Sequence, residues 1–257
     1  MTEKRDRMFT KGLCSVSFRG NTPAEIVAEA KNAGISLIEW GSDVHASCRD
    51  TEKLKNIAEL SERYGVGCSS YGTYFNVGEN DISELDSYID AAHILGTDTL
   101  RIWCRKKGSA DYSPEEKAEL YESCKRIADA AEKRNVTLCC ECHVWNYTDE
   151  ADAALELMRT VGSERFRMYW QPNQFRSFED NLRYAEVIAG YVKNVHVFNW
   201  HGSEKFPLGE GKEIWKKYLG KLGGDRTLLL EFMPDDKLSS LLAEAESLGE
   251  IIKEVER

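Results

Sequence analysis

A glutamate and a histidine stand at the end of an apolar stretch in the middle of the chain, where VTLCCECH spans residues 136–143. Alternate residues of a β-strand share a face, so Glu141 and His143 lie on one side of this strand and Cys142 on the other. An ionised carboxylate in apolar surroundings is costly unless it is paired or has a chemical role. Glu141 is therefore the first candidate for acid–base or metal chemistry.

Three later apolar segments also carry polar side chains at their ends: YWQPN (169–173), NVHVFNWH (194–201) and LLLEFM (228–233). Taken singly, Glu141 and Glu231 are better explained as partners of arginines, and His196 as a hydrogen-bonded core residue. Taken together with Gln171, they favour a shared site if their strands are neighbours. Two carboxylates, one imidazole and one amide oxygen are suitable ligands for Mn²⁺, Mg²⁺, Co²⁺ or Zn²⁺.

The elements that must position these side chains alternate along the whole chain. Short β-type runs, separated by helix-type patterns, predict strands at 12–18, 35–41, 66–72, 97–104, 136–143, 165–171, 192–200 and 226–232. Repeated β–α units predict a parallel sheet, and eight of them suit a closed barrel. We expect an α/β protein, a (β/α)8 TIM barrel in a single domain over residues 1–257, with a polar lead-in at 1–11. A doubly wound open sheet is the alternative, but no glycine-rich phosphate fingerprint follows an early strand.

The composition is that of an ordinary soluble protein, with 42% hydrophobic and 30% charged residues. The net charge of −10 disfavours nucleic acid as a partner, because phosphate binding needs basic surface. The start of the chain lacks a signal-peptide core, and no apolar run approaches the roughly 18 residues of a membrane span. These features predict a cytoplasmic protein without a membrane partner, and they leave homo-oligomer formation open.

Eight cysteines raise the question of disulfides. Several, such as Cys139 and Cys140, lie within apolar runs, where free cysteine behaves as a small hydrophobic residue. Cys139 and Cys142 have C-x-x-C spacing but point to opposite faces of a strand. We expect all eight to be reduced and to serve packing.

Seven segments share the pattern of one known family: IEWGSDVH (38–45), SSYGTYF (69–75), LRIWCRKKGS (100–109), ECH (141–143), YWQPN (169–173), NVHVFNW (194–200) and LLLEF (228–232). Through them, most of the chain resembles the xylose isomerase-like barrel proteins known as sugar phosphate isomerases/epimerases. The resemblance implies a role in carbohydrate metabolism and a divalent metal held by Glu, Asp, His and Glu. These ligands map to Glu141, position 171, His196 and Glu231.

In this family's epimerases, the two glutamates also move the substrate proton, so Glu141 and Glu231 are the implied catalytic pair. Position 171 departs from the pattern because it is Gln171, where the resemblance implies aspartate. A glutamine can ligate through its carbonyl oxygen but contributes no charge. The metal, whether Mn, Mg, Co or Zn, is therefore expected to bind more weakly, and metal dependence stays open.

Polar and aromatic groups near the strand ends are candidates for substrate binding: His45, Arg101, Trp103, His143, Asn173 and Trp200. For His45, an ordinary loop histidine is an equal alternative. Arg101 can also neutralise Glu141, and that role is compatible with substrate binding. Lys106, Lys107 and Ser109 are candidates for phosphate contact, but solvated loop charges are the favoured interpretation.

The leading hypothesis is a sugar or sugar-phosphate isomerase/epimerase that uses glutamates to move a proton next to a carbonyl, assisted by a divalent metal. An abasic-site endonuclease-like metal enzyme uses the same barrel but needs more His and Asp ligands than five histidines readily supply. A non-catalytic sugar-binding protein is the third alternative, motivated by Gln171.

Overall fold

The computed structural model describes residues 9–104 and 107–257. Its strands are β1 (Phe9–Cys14), β2 (Leu37–Gly41), β3 (Gly67–Asn76), β4 (Thr99–Trp103), β5 (Thr137–Glu141), β6 (Phe166–Trp170), β7 (Val192–Val197), β8 (Trp200–His201), β9 (Glu204–Lys205) and β10 (Arg226–Leu230). Strands β1 to β7 and β10 pair in parallel and close into a barrel, in which β10 lies between β7 and β1. The predicted (β/α)8 TIM barrel is confirmed. The short β8 and β9 form an antiparallel hairpin after β7.

Helices connect the barrel strands and cover them from outside: α1 (Pro23–Asn32), α2 (Thr51–Tyr64), α3 (Glu84–Leu95), α4 (Pro114–Lys133), α5 (Ala151–Val161), α6 (Phe178–Ile188), α7 (Lys212–Leu222) and α8 (Leu241–Val255). Local sequence explains several of their ends. Capping boxes begin α1 at Thr22 and α4 at Ser113, each with proline in the first turn. Gly65 and Gly96 end α2 and α3 in the left-handed conformation that glycine adopts without strain. None of the described helices has the length and apolar character that a bilayer crossing requires.

The first strand differs from its prediction at 12–18. Strand β1 begins at Phe9, which pairs with Arg226, and the chain turns into a 3-10 helix at Ser15–Phe18. The hydroxyl oxygen of Ser15 accepts the N–H of Gly41 at 2.9 Å, so the side chain replaces a continuing strand. Of the predicted lead-in, residues 1–8 lie outside the described part of the chain, and the rest belongs to β1.

A small set of buried side chains fills the barrel interior separately from the larger core under the helices: Cys14, Val16, Cys139, Tyr169 and Leu229. Cys139, Tyr169 and Leu229 stand two residues before Glu141, Gln171 and Glu231. Because alternate strand residues share a face, the later three also point inward, one layer higher at the carboxyl ends of the strands. The barrel thus brings these polar groups to one end.

Arg226 marks the opposite end of the barrel, at the first residue of β10. Its guanidinium donates to three carbonyl oxygens: those of Val192, Ala189 (2.6 Å) and Leu222 (2.9 Å). Burial lowers the pKa of Arg226 to about 10. The side chain ties the ends of α6 and α7 to the start of β7, away from the polar strand ends.

Candidate active site

His196 lies at the centre of the polar strand ends and is only 1% exposed. Its Nδ1 lies 3.0 Å from Gln171 Oε1, 3.5 Å from Glu141 Oε1 and 3.6 Å from Glu231 Oε2. The structure therefore brings together the four residues that the sequence nominated as metal ligands. Ligand atoms around a small divalent cation, with bonds of about 2.0–2.2 Å, lie roughly 3–3.5 Å apart. The donor types suit such a cation, and one oxygen of each of the other three residues lies within 3.6 Å of His196 Nδ1.

Arg101 supplies the positive charge nearest to these carboxylates. Its guanidinium is buried; Nη1 donates to Glu141 Oε2, and Nε donates to Glu39 Oε1 at 3.2 Å. The same guanidinium lies 5.0 Å from the centre of the Trp103 ring, a cation–π contact. Arg101 thus neutralises Glu141, which was the second of its two expected roles.

Glu39 lies between Arg101 and His196 and contacts both. Besides Arg101, it accepts a hydrogen bond from Ser70 Oγ at 3.0 Å, and its Oε1 lies 3.6 Å from His196 Nε2. Gly72 leaves the necessary room, since a Cβ at this position would stand 2.8 Å from Glu39 Oε1 and 3.1 Å from Arg101 Nη2. Backbone without a side chain is required here for the buried ion pair to form.

A pocket of about 150 Å³ opens above these groups. It is lined by Val16, Arg19, Tyr74, Arg101, Trp103, Glu141, His143, Gln171, Gln174, Phe198, Trp200, Glu231 and Phe232. Tyr74 stacks on Trp103 with their ring centres 6.3 Å apart, and Trp200 packs between Phe198 and Phe232. Aromatic walls over a polar floor suit a small polyhydroxylated ligand with apolar faces.

The family model for the xylose isomerase-like TIM barrel matches residues 27–248. The chain belongs to this family. The resemblance that the sequence suggested is thereby confirmed. No curated protein matches the chain.

Solved structures of this family share the fold at low sequence identity. The probable 3-DHS dehydratase AsbF of Bacillus anthracis, involved in petrobactin synthesis, has a TM-score of 0.79 at 19% identity, covering 93% of this chain and 98% of its own. A D-psicose 3-epimerase of Clostridium cellulolyticum H10 has a TM-score of 0.66 at 12% identity, covering 96% and 99%. The IOLI protein, which holds a zinc atom, has a TM-score of 0.72 at 13% identity, covering 96% and 97%. At these identities the likeness shows the fold alone.

The two glutamates of this family member differ in their electrostatic surroundings. Burial would raise the pKa of Glu141, but Arg101 and His196 outweigh it and lower the pKa to about 2. For Glu231, burial prevails over the attraction of His196 and raises the pKa. Burial would lower the pKa of His196, yet Cys14 and the neighbouring carboxyl groups hold it well above its usual value. Two carboxyl groups with opposite shifts are the arrangement expected of an acid and a base.

His143 stands at the pocket edge with its ring 5.3 Å from that of Trp103. Its Nδ1 lies 3.0 Å from the carbonyl oxygen of Val144 and donates to it. A neutral ring that donates from Nδ1 carries its lone pair on Nε2. The next loop residue, Trp145, has a φ of 60° and is 75% exposed.

Two residues predicted to bind substrate lie elsewhere. His45 is buried, with Nδ1 at 3.1 Å from Ser15 Oγ and Nε2 at 3.2 Å from the carbonyl oxygen of Asn21, and it does not line the pocket. Asn173 accepts the N–H of Phe175 at 2.9 Å and lines an adjoining pocket of about 120 Å³. The other four predicted residues line the main pocket: Arg101, Trp103, His143 and Trp200.

The loop after β4 carried the proposed phosphate contacts. Lys106 lies outside the described residues. Lys107 pairs with Glu116, and the backbone N–H of Ser109 donates to Asp149.

Several site residues were missed from the sequence. Cys14 was assigned to packing, yet its Sγ, one nitrogen of His196 and one oxygen of Glu231 lie within 4.8 Å of one another. Arg19 pairs with Asp43 and donates to the Tyr74 hydroxyl at 3.2 Å at the pocket mouth. The first strand was predicted at 12–18, so Cys14 was placed inside it. The structure places Cys14 at the end of β1, and a strand-end position is the signal that would have identified it as a site residue.

Proposed function

We propose that this protein is a sugar or sugar-phosphate isomerase/epimerase that moves a proton at a carbon next to a carbonyl group. The observation that carries the proposal is the convergence of Glu141 and Glu231 on His196, with opposite pKa shifts, at the floor of an aromatic pocket. The epimerases among the family's solved structures support it.

Glu141 and Glu231 reach the site from β5 and β10, which are separated by β6 and β7 in the barrel. Substrate between them meets one carboxyl group on each side. One carboxylate takes the proton from carbon, and the other carboxyl group returns a proton to the same carbon or its neighbour. Return of the proton to the opposite face of the same carbon inverts that stereocentre. Return of the proton to the neighbouring carbon moves the carbonyl group.

Glu141, Gln171, His196 and Glu231 would hold the divalent cation, which supplies polarisation of the substrate carbonyl oxygen when it is bound. Arg101 keeps Glu141 ionised and in place. Trp103 and Trp200 cover the apolar faces of the substrate and exclude water from the reacting carbon.

The test is deuterium uptake from D2O into a panel of ketoses and their phosphates, with Mn²⁺, Mg²⁺, Co²⁺ and Zn²⁺ supplied in turn. Glu141→Gln and Glu231→Gln are each expected to lower the exchange rate by about 10²–10⁴-fold. Glu244→Gln is the control, because Glu244 is a buried glutamate outside the pocket that accepts the N–H of Leu208. Absence of uptake across the panel contradicts the proposal. Sugar binding by calorimetry without exchange would instead indicate a binding protein.

A dehydratase is the second candidate, because removal of the same proton also begins loss of a hydroxyl group from the next carbon. His143 favours it, since a histidine that lines the pocket can act as the acid for a leaving hydroxyl. The dehydratase among the family's solved structures supports it as well. Its signature is a conjugated carbonyl product that absorbs in the near ultraviolet.

A further inference from the structure

The end of β1 places a thiol beside the candidate cation site. Cys14 Sγ, one ring nitrogen of His196 and one carboxylate oxygen of Glu231 all lie within 4.8 Å of one another. Cys14 is 0% exposed, His196 is 1% exposed, and the side chain of Glu231 is 12% exposed. Small side-chain rotations bring three such atoms to bonding distance of one cation.

His196 also has a ring nitrogen without a partner in the described part of the chain, Nε2, whereas Nδ1 is the nitrogen nearer to Glu231. Among the described residues, His196 Nε2 has no hydrogen-bond partner, although it is fully buried. The nearest charged atom, Glu39 Oε1, is 3.6 Å away, beyond hydrogen-bond distance. A buried polar atom without a partner indicates a missing ligand or water.

Glu231 is the glutamate of the site that is not paired with Arg101. Arg101 is paired with both Glu39 and Glu141, and Gln171 brings no charge. Within the described ranges, no arginine or lysine forms an ion pair with Glu231. Glu231 can therefore bind a cation without breaking an ion pair to arginine or lysine.

We propose that Cys14 supplies a thiolate ligand to a cation held by His196 and Glu231, so that the site takes Zn²⁺ or Co²⁺ in preference to Mg²⁺. Sulfur and imidazole donors favour these metals, whereas Mg²⁺ prefers oxygen ligands only. On binding, the S–H bond of Cys14 breaks, its proton passes to solvent, and the S–metal bond forms. The inference rests on the proposed function for the role of the cation, but the binding of the cation is tested separately.

A second group of thiols must be distinguished in any experiment. Cys104 Sγ lies 3.3 Å from Cys140 Sγ and 3.9 Å from Cys124 Sγ, and all three are buried. Soft metals can also bind there, with sulfur ligands only.

The experiment adds Co²⁺ to full-length protein that has been treated with a chelator. One equivalent is expected to produce a near-ultraviolet thiolate-to-cobalt absorption band. Cys14→Ser is expected to lose the band and to weaken binding by more than about tenfold, since loss of even an outer-shell partner weakens binding by about that much. Cys139→Ser is the matched control, because Cys139 is equally buried in the same interior set and is expected to keep the band. A band that persists in Cys14→Ser overturns the proposal.

X-ray absorption of the native protein loaded with Zn²⁺ gives a result that does not depend on any variant folding. One sulfur at about 2.3 Å, with nitrogen and oxygen at about 2.0–2.2 Å, is expected. Coordination by nitrogen and oxygen alone overturns the proposal, and so do two or more sulfurs, which would place the metal at the Cys104 group.

Deuterium exchange measured on the same preparations separates the two proposals. Exchange without sulfur coordination rejects the thiolate ligand and leaves the proposed function standing. Sulfur coordination without exchange on any substrate rejects the proposed function and leaves the thiolate ligand standing.

Discussion

Gln171 presents a neutral amide oxygen to His196 in a site that already contains three glutamates. Replacement by aspartate adds a negative charge about 3 Å from the imidazole, at the point where a cation would bind. We expect Gln171→Asp to bind Co²⁺ or Zn²⁺ at least about tenfold more tightly, a difference of about 1.4 kcal/mol. Titration of chelator-treated protein measures this. Gln174→Asp is the control, because Gln174 lines the same pocket without contacting His196; equal gains in both variants would show a general charge effect.

Gly72 is the residue whose small size allows the Glu39–Arg101 ion pair. In Gly72→Ala, the added Cβ meets Glu39 Oε1 at 2.8 Å, so the carboxylate must move. We expect a loss of about 1–3 kcal/mol in the free energy of unfolding and a reduced rate of proton exchange. Gly220→Ala is the control, since nothing lies within 4 Å of its added Cβ on helix α7. Urea unfolding and deuterium uptake are measured for both, and unchanged behaviour of Gly72→Ala would contradict the steric argument.

Glu39 also gives the protein a defined response to acid. Burial would raise the pKa of Glu39, but His196 and Arg101 lower it from 4.5 to about 2. A carboxyl group with a depressed pKa in the folded state stabilises the fold above its unfolded pKa, and this contribution is lost as the pH falls from about 4.5 to about 2. Chelator-treated protein should therefore lose stability across this range, as measured by the urea midpoint. Glu39→Gln should lose less stability over the same pH range. An identical dependence of the urea midpoint on pH in both proteins would exclude Glu39 as a cause of the acid response.

At the scale of elements, Arg226 joins the ends of two helices to the barrel at the end away from the pocket. Arg226→Met keeps the apolar stem but leaves three carbonyl oxygens without their charged donor. We expect the free energy of unfolding to fall by about 1–3 kcal/mol with an unchanged exchange rate per folded molecule. Arg134→Met, which removes exposed pairs with Asp86 and Asp90, is expected to cost about 0–1 kcal/mol. A lower exchange rate in Arg226→Met would show that the two ends of the barrel are coupled.

The elements also show what local sequence can determine. Helix α2 spans Thr51–Tyr64 because Asp50 caps its start and Gly65 ends it, and both signals lie within the local sequence. Strand β1 was displaced because its first residues gain their hydrogen bonds from β10, more than 200 positions later in the chain. Local patterns do not reveal such pairing.

The same limit applies to the site. Glu141, Gln171, His196 and Glu231 were predicted because each lies at or near the end of an apolar strand, and the barrel then brings the strand ends together. The roles of Glu39 and Cys14 depend on which strands are neighbours across the closed barrel and on side-chain rotamers. His45 was misplaced because a hydrogen bond to Ser15 in the 3-10 turn holds it away from the pocket.

At the scale of the whole molecule, the net charge of −10 opposes binding to DNA. Within residues 9–104 and 107–257, one group of three histidine, cysteine or acidic side chains is close enough together to hold a metal ion, formed by Cys14, His196 and Glu231. We expect no cleavage of a duplex containing an abasic site, with Zn²⁺, Mn²⁺ or Mg²⁺ present and at low salt. Gel electrophoresis of the labelled duplex measures this. Metal-dependent cleavage at the abasic site, lost in His196→Ala, would favour the endonuclease over the isomerase/epimerase.

The exposed Trp145 has a consequence for how this protein can be observed. Trp40, Trp170 and Trp215 are almost fully buried, whereas Trp145 is 75% exposed on the loop that begins at His143. Its fluorescence is therefore open to a water-soluble quencher such as iodide, while theirs is shielded. The protein thus carries an exposed intrinsic fluorophore two positions after His143, a residue that lines the pocket, and quenching of Trp145 can report a change in this loop without any chemical label.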